Sequence, residues 1–299
     1  MLRHGNAAPT RPERVVVMGA GGFVGNAIAA RLERDGATVM RLGRREVDLL
    51  TTGAAERLLG LLRAGDVLVA ASALAPCRTP QMLRDNMVMA AALVAACAAP
   101  LAQIVNISSD AVYADCPEPL TEVSSKAPDS LHGAMHLARE IMFRNTVSAP
   151  LAILRPSLLY GATDPHNGYG PNRFLRLVER GDPIVLFGKG EEQRDHVLID
   201  DAAELAARVI YRRSTGALNV ATGTVTSFRD VAEMVARYMG RSTAILETPR
   251  TQPMPHNGYR PFDIASCRAA FPDFVFTPLA EGLRRTIADR REPAERRGA

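Results

Sequence analysis

The chain has 299 residues, of which 47% are hydrophobic and 23% are charged, and its formal net charge is +4. This composition supports a substantial buried core and excludes a mostly disordered chain. Trp is absent and aromatic residues make up 5%, so we expect no nucleic-acid partner. Because no run of about 18 apolar residues occurs, we also expect no membrane partner.

The four cysteines, Cys77, Cys97, Cys116 and Cys267, are scattered along the chain and match no zinc-module spacing. Scattered cysteines are typical of free thiols in a reducing compartment. The first ten residues lack the apolar core of a signal peptide. We therefore expect a cytoplasmic protein, in which residues 1–12 form a loose leader.

Predicted strands and helices alternate through the first half of the chain. The apolar run RVVVM at 14–18 predicts a buried strand, and apolar residues then recur at helical spacing between 23 and 35. Further strands are predicted at 37–42, 66–70, 103–107 and 151–154, and further helices at 54–63, 81–98 and 131–147. This alternation predicts a doubly wound α/β fold, a parallel Rossmann-type sheet with helices on both faces.

The second half of the chain has a different texture. Residues 156–195 are rich in Gly, Pro, Asn and Asp, which is typical of loops that grip a ligand. We predict a dinucleotide-binding domain at 13–155 and a smaller, C-terminal substrate-binding part at 156–299. Strands near 196–199 and 218–221 are expected to return to the main sheet.

The string GAGGFVG at 19–25 stands between the first predicted strand and the first helix. Gly19 allows a tight turn, Gly22 lets the backbone approach a pyrophosphate, and Gly25 lets the helix pack on the strand. The free amides that follow, including those of Phe23 and Val24, lie at the positive end of the helix dipole. The turn therefore predicts NAD(P) binding.

The residues after the second strand bear on which dinucleotide is bound. NAD enzymes usually place an acid there to hold the ribose hydroxyls. This chain has Arg44 and Arg45 instead, with Asp48 further on. Arginines suit a 2′-phosphate, so NADP is favoured over NAD; the alternative is that they face water on a solvated turn.

Several segments together resemble the extended short-chain dehydrogenase/reductases, the NAD(P)-dependent nucleotide-sugar epimerases and dehydratases. They follow the family order from about Arg14 to Ile287. The matching segments are GAGGFVG (19–25), DVLVAASA (66–73), NISSDAVYAD (106–115), LRPSLLYG (154–161), QRDHVLIDDAAE (193–204) and RPFDIASCRAAF (260–271).

This resemblance implies roles for individual residues. It implies cofactor contacts from Ala70, Ala71, Ser72 and Asn86, and substrate contacts from Ser109, Asn172, Arg194 and Arg260. Ser109 falls at the catalytic Ser/Thr, and Asp110 falls where dehydratases carry an acid. The neighbouring dehydratase glutamate is replaced by Ala111, which argues against standard 4,6-dehydration. Arg194 and Arg260 would clamp the substrate diphosphate, which guanidinium forks bind bidentately.

The largest departure from the family is its Tyr-x-x-x-Lys pair, which is replaced by His132 and His136 on one helix face. In one interpretation His132 is the acid/base, because imidazole titrates near 6.5 without help from a cation, while His136 hydrogen-bonds the nicotinamide ribose. The shorter ring then requires a bridging water or a shifted substrate. In a second interpretation redox chemistry is lost and the protein is an NADP(H)-binding sensor. In a third, which we rank last, the two histidines and Glu140 bind a metal.

We expect NAD(P)-dependent modification of a nucleotide-linked sugar by hydride transfer, as epimerisation, reduction or dehydration. The helix at 81–98 is apolar almost all round, which indicates burial against the sheet and a partner subunit. A homodimer through helices 81–98 and 131–147 is therefore predicted. His166 and His256 could line the substrate pocket or face water.

Overall fold

The computed structural model describes residues 2–291. Its strands, in chain order, are β1 (Val15–Met18), β2 (Val39–Leu42), β3 (Val67–Ala70), β4 (Gln103–Ile107), β5 (Leu151–Pro156), β6 (Leu158–Tyr160), β7 (Ile184–Phe187), β8 (Gln193–Leu198), β9 (Gly216–Val220), β10 (Val225–Ser227), β11 (Ile245–Thr248) and β12 (Tyr259–Arg260). Its helices are α1 (Phe23–Arg34), α2 (Ala54–Leu61), α3 (Pro80–Ala96), α4 (Leu131–Thr146), α5 (Pro171–Arg180), α6 (Ile199–Tyr211), α7 (Phe228–Met239), α8 (Ala265–Ala270) and α9 (Leu279–Arg291).

Six parallel strands form the main sheet in the order β2-β1-β3-β4-β5-β9. Side chains alternate across a strand, so Val15 and Val17 pack under α1 and α6, while Val16 and Met18 pack under α2, α3 and α4. Helices thus cover both faces, and the strands are apolar on both sides because neither side meets water. The predicted doubly wound fold is confirmed.

A second, smaller sheet forms beside the first, and it corrects one prediction. The strand expected near 196–199 to return to the main sheet is β8, which instead pairs with β10, β12 and β6. The free edge of β5 is already taken by β9, which pairs with it from Ala152↔Gly216 to Pro156↔Val220. The strand near 218–221 therefore lies in the main sheet, and β8 carries its side chains over the carboxyl ends of that sheet.

The first residues are held in place, so the expectation of a loose leader is wrong for the described part of residues 1–12. The backbone of Arg3 exchanges hydrogen bonds of 2.9 and 2.8 Å with Thr215. His4 bonds the hydroxyl of Ser214 at 2.8 Å and the carbonyl of Ala270 at 3.0 Å. These long-range bonds were invisible to local composition. Every helix within residues 2–291 is too short or too polar to cross a bilayer.

Candidate functional site

A cavity of about 770 Å³ opens at the carboxyl ends of the main strands. Its walls come from the turns after β1, β3 and β4, from the start of α4, and from the loops at 164–172 and 255–256. It lies across the point where the strand order reverses between β1 and β3, where ligands of such sheets bind. Its volume is that of an ordinary small-molecule site.

The glycine turn forms one end of this cavity. Gly19 has φ +98°, and a Cβ there would lie 2.5 Å from the amide nitrogen of Ser72. A Cβ on Gly25 would lie 2.2 Å from the carbonyl oxygen of Gly19. Gly22, Phe23, Val24 and Gly25 line the cavity, and no side chain caps α1. Uncapped amides at the positive end of a helix fit a diphosphate.

The loop after β3 faces this turn. Ala70 ends the strand, Ala71 lines the cavity, and the buried hydroxyl of Ser72 has no hydrogen-bond partner within the described residues. Asn86 lies below the loop. Its side-chain oxygen accepts from the N–H of Leu74 at 2.8 Å, and its side-chain nitrogen donates to the carbonyl of Leu74 at 3.0 Å. Asn86 therefore shapes the loop; since Ser72 and Asn86 do not line the cavity, their cofactor contacts stay predictions.

The residues after β2 lie at the far edge of the turn. Arg44 and Arg45 are exposed, whereas Arg41 is committed to Glu33 at 2.6 and 2.7 Å. Asp48 accepts the amide of Leu50 at 3.1 Å and so shapes its own turn. This leaves the side chains at 44 and 45 available to a ligand, with no bond that selects NADP.

Ser109 and Asp110 follow β4 and line the cavity. The hydroxyl of Ser109 accepts the amide of Ala111 at 3.1 Å and donates to Asp110 Oδ1 at 3.3 Å. The other oxygen of Asp110 accepts from Arg260 at 2.9 Å. Both residues are thus tied to the protein before any ligand enters.

The two arginines expected at the diphosphate differ in their surroundings. Arg194 lines the cavity and lies 3.7 Å from Asp110. Arg260 is buried behind the wall, where it donates to Asp110, to Asp115 at 2.9 Å and to the Asp110 carbonyl at 2.6 Å. In this arrangement Arg260 holds Asp110 in place and does not reach the cavity. A diphosphate contact from Arg260 stays a prediction that requires those bonds to open.

Asn172 also lines the cavity, at the start of α5. Its side chain accepts the amide of Gly161 at 3.3 Å and donates to Asp164 at 2.5 Å. These bonds fix the loop between Gly161 and Asn172, part of which lines the cavity. Substrate contact by Asn172 stays a prediction.

The two histidines of α4 both line the cavity, with ring centroids 4.7 Å apart and planes at 88°. His132 Nδ1 accepts the backbone N–H of Cys77 at 3.3 Å. His136 is buried, and its Nδ1 has no partner among residues 2–291. Both rings therefore face the cavity, and the ring of His132 is held by the backbone of Cys77.

Burial keeps both rings neutral. Desolvation lowers the pKa of His132 below its usual 6.5; Asp110 opposes this shift and His166 adds to it. Desolvation, the neighbouring His132 and the charge of Arg139 lower the pKa of His136 well below 6.5. At neutral pH both rings are therefore uncharged.

Glu140 faces away from the histidines, which corrects the metal interpretation. Its carboxylate accepts from Arg155 at 2.7 and 2.8 Å and from the hydroxyl of Ser108 at 2.6 Å. No group of three potential metal ligands exists among the described residues. The spacing of His132, His136 and Glu140 predicted a shared helix face, but the carboxylate of Glu140 is bound by Arg155.

Sequence reasoning missed Arg139, a fully buried arginine of α4. Its guanidinium donates to the Ala70 carbonyl at 2.7 Å, to Asn106 at 2.7 Å and to the Ser72 carbonyl. Burial lowers its pKa to about 10, so it remains charged at neutral pH. A signal was present, because position 139 lies three residues after His136 on the face that meets the sheet.

The chain matches a known protein family over most of its length. Its residues 15–221 match the model of the NAD dependent epimerase/dehydratase family, and the chain belongs to that family. The order of strands, the glycine turn and the serine after β4 agree with that membership.

Individual relatives are distant. The chain is 25% identical to an ADP-L-glycero-D-manno-heptose-6-epimerase of Alkalilimnicola ehrlichii, over 90% of this chain and 95% of the relative. It is 28% identical to a UDP-glucose 4-epimerase of Mycolicibacterium smegmatis, over 76% and 83%. A Thermus thermophilus UDP-glucose 4-epimerase solved with NAD superposes with a TM-score of 0.83 at 24% identity, over 94% of this chain and 100% of that one. A Naegleria fowleri GDP-L-fucose synthetase bound to NADP gives 0.78 at 17%, over 96% of both.

Proposed function

We propose that the protein is an NAD(P)-dependent enzyme that modifies a nucleotide-linked sugar by hydride transfer. One observation carries the proposal: a single cavity runs from the uncapped N-terminus of α1 to Ser109 and His132. A dinucleotide held by the glycine turn would thereby reach the polar groups that can act on a sugar oxygen. Relatives named as nucleotide-sugar epimerases support the substrate class.

The chain's residues divide the work. The glycine turn and the loop at 71–73 hold the dinucleotide, which supplies or accepts a hydride when bound. Ser109 and His132 contact the reacting oxygen, and Arg194 offers a guanidinium to the diphosphate. His136 faces the cofactor side of the cavity as a neutral hydrogen-bonding group.

Binding by the glycine turn is tested with Gly25→Ala. The added Cβ would meet the Gly19 carbonyl at 2.2 Å, so we expect titration calorimetry to detect no NAD or NADP uptake. Gly60→Ala is the matched control, since nothing lies within 4 Å of a Cβ there. Uptake by Gly25→Ala equal to that of the control would contradict the proposed cofactor site.

The choice between NAD and NADP is a second question at the same site. The exposed Arg44 and Arg45 favour NADP, whereas the superposed epimerase above holds NAD. If they bind a 2′-phosphate, the double substitution R44A/R45A weakens NADP binding and leaves NAD binding unchanged. If the double substitution weakens binding of both dinucleotides equally, or of neither, these arginines do not recognise the 2′-phosphate.

Turnover separates the enzyme from the alternative, an NADP(H)-binding sensor without hydride chemistry. A panel of UDP-, GDP- and dTDP-linked sugars should yield product with the wild type and none with His132→Ala. The open cavity beside Ser109 and His132 favours the enzyme, because a sensor has no need of space for a sugar. Tight cofactor binding with no turnover on any panel member would favour the sensor.

We also propose a homodimer through α3 and α4. The cytoplasmic location expected from the scattered cysteines stays a prediction, as does the division into parts at 13–155 and 156–299.

A further inference from the structure

The contact between His132 and the backbone of Cys77 determines where the ring of His132 carries its proton. The N–H of Cys77 points at Nδ1 at 3.3 Å, so Nδ1 is the acceptor. A neutral imidazole has one donor and one acceptor nitrogen. The proton of neutral His132 therefore sits on Nε2.

The orientation of the ring follows from the same contact. His132 lines the cavity, whereas Cys77 does not belong to the cavity wall. Nδ1 thus faces into the protein and the opposite side of the ring, with Nε2, faces the ligand space. A backbone amide cannot rotate or lose its proton, so this orientation does not depend on a side chain elsewhere.

The groups around His132 keep it neutral. His136 approaches from one helical turn away, Arg139 is a buried cation near that ring, and His166 faces the cavity from its loop. The anion that would favour an imidazolium is Asp110, but it is already paired with Arg260 at 2.9 Å. Asp129 and Arg194 line the same cavity with opposite charges. Protonating Nδ1 would also break the bond from Cys77.

Ser109 does not compete for the role of donor. Its hydroxyl proton is directed to Asp110 Oδ1 at 3.3 Å, and its oxygen accepts the Ala111 amide. His132 therefore presents the N–H that a reacting oxygen would meet.

We infer that His132 is a neutral hydrogen-bond donor through Nε2, and that the substrate is a nucleotide-linked keto sugar which the enzyme reduces to the alcohol. The inference rests on the proposed function and deepens it. Reduction of a carbonyl needs a hydrogen-bond donor at its oxygen, and neutral His132 with its proton on Nε2 already provides one. Oxidation of a sugar hydroxyl, the first step of an epimerisation, needs an acceptor that the resting ring does not offer.

The reaction balances with a reduced nicotinamide dinucleotide as co-reactant, which supplies the hydride. The carbonyl carbon gains that hydride, and the C=O π pair moves to the oxygen. The Nε2–H of His132 stabilises the negative charge on the oxygen by a hydrogen bond, and the oxygen takes its proton from water, which the solvent replenishes. The sum is ketone, reduced dinucleotide and one proton giving secondary alcohol and oxidised dinucleotide. A neutral histidine is a known means of polarising a carbonyl.

The tautomer is measured without turnover. In protein labelled with ring-¹⁵N histidine, the signals that disappear in His132→Gln report His132. We expect neutral Nε2–H shifts at pH 7, in the free protein and with dinucleotide bound. An Nδ1–H tautomer or an imidazolium at pH 7 overturns the donor assignment, whatever the sugar panel shows.

The direction of the reaction is measured by pH profile. We expect kcat/KM for keto-sugar reduction to stay flat from about pH 6.5 to 8.5, because the neutral ring is the active form. If an imidazolium must supply the proton, reduction instead falls about tenfold per pH unit above its pKa. That fall overturns the neutral donor. Reduction of none of the UDP-, GDP- and dTDP-linked keto sugars while their hydroxy counterparts turn over overturns the reductase.

A pair of variants tests the donor itself. His132→Gln keeps an N–H donor and should retain most of the reduction rate, whereas His132→Leu should lose about 10²–10³-fold in kcat. Equal loss in the two variants contradicts a donor role. No turnover on any keto or hydroxy sugar refutes the proposed function and with it the reductase, while leaving the measured tautomer standing.

Discussion

Glu140 and Arg155 form a fully buried ion pair behind the part of the cavity wall that follows β4. Arg155 also donates to the hydroxyl of Tyr113 at 2.7 Å, and Glu140 accepts from Ser108, the neighbour of Ser109. A buried ion pair adds little stability compared with apolar residues of the same size. Removing only one of its two members, however, is strongly destabilising. The carboxylate thereby links α4 to both β4 and β5.

Glu140→Ala should cost about 3–5 kcal/mol of unfolding free energy, because it leaves the charge of Arg155 buried without a carboxylate to balance it. Urea denaturation measures this loss. The control is Glu281→Ala, which removes an exposed partner of Arg285 and should cost about 0–1 kcal/mol. Similar losses in both variants would contradict the role given to Glu140.

The same carboxylate predicts a pH dependence. Burial opposes ionisation of Glu140, but hydrogen bonds from Arg155 and Ser108 outweigh it and lower its pKa below 4.5. The contribution to stability is therefore complete above the unfolded value of about 4.3, and it is lost as the pH falls through the lower folded value. Wild type and Glu140→Ala should converge in stability toward acid pH.

At the scale of elements, the loop after β3 is held from below by two helices. Asn86 of α3 bonds Leu74 through both backbone groups, and Arg139 of α4 bonds the carbonyls of Ala70 and Ser72. These bonds add to the apolar packing of Ala71 and Leu74 against the core. A ligand that lies against the loop then meets a surface already ordered.

Asn86→Ala should leave the N–H and carbonyl of Leu74 without partners and loosen the loop, at a cost of about 1–3 kcal/mol. We expect weaker dinucleotide binding by calorimetry and faster amide exchange at 71–77. Gln81→Ala, on the exposed first turn of the same helix, should change neither. Unaltered exchange in Asn86→Ala would show that the loop is held by other contacts.

Local patterns predicted the sheet, the glycine turn and the helix that carries both histidines, because each depends on period and spacing within a few residues. They did not predict the partners of Arg260, since Asp110 lies 150 positions away. They also missed Cys77, whose contribution to the site is a backbone amide that no residue type reveals. Nor did they predict that β8 joins the second sheet, because this depends on β9 pairing with the edge of β5.

At the scale of the whole molecule, α3 and α4 lie side by side and expose apolar side chains. Val88 and Ile141 are 46% and 49% exposed, one on each helix. Apolar groups on adjacent helices suit an isologous contact with a second copy. This exposure is what a homodimer through these two helices requires, and the homodimer stays a prediction.

Light scattering after gel filtration should give twice the chain mass for the wild type and one chain mass for V88D/I141D. Charges at both positions would face each other across a two-fold axis and would be costly to bury. Val275→Asp is the control, because Val275 is 81% exposed away from these helices. A wild-type monomer, or a dimer that survives both charges, would place the interface elsewhere or remove it.

The position of β9 predicts how a truncated form of this chain would behave. Residues 13–155 contain the nucleotide turn, yet the outer edge of β5 is hydrogen-bonded by β9, and α1 packs on α6. One apolar cluster joins Val15 to Phe274. A fragment stopped at 155 would carry an unpaired strand and a bare sheet face, which invites aggregation. A chimera that carries the glycine turn and its sheet in another protein would therefore also need residues 199–220.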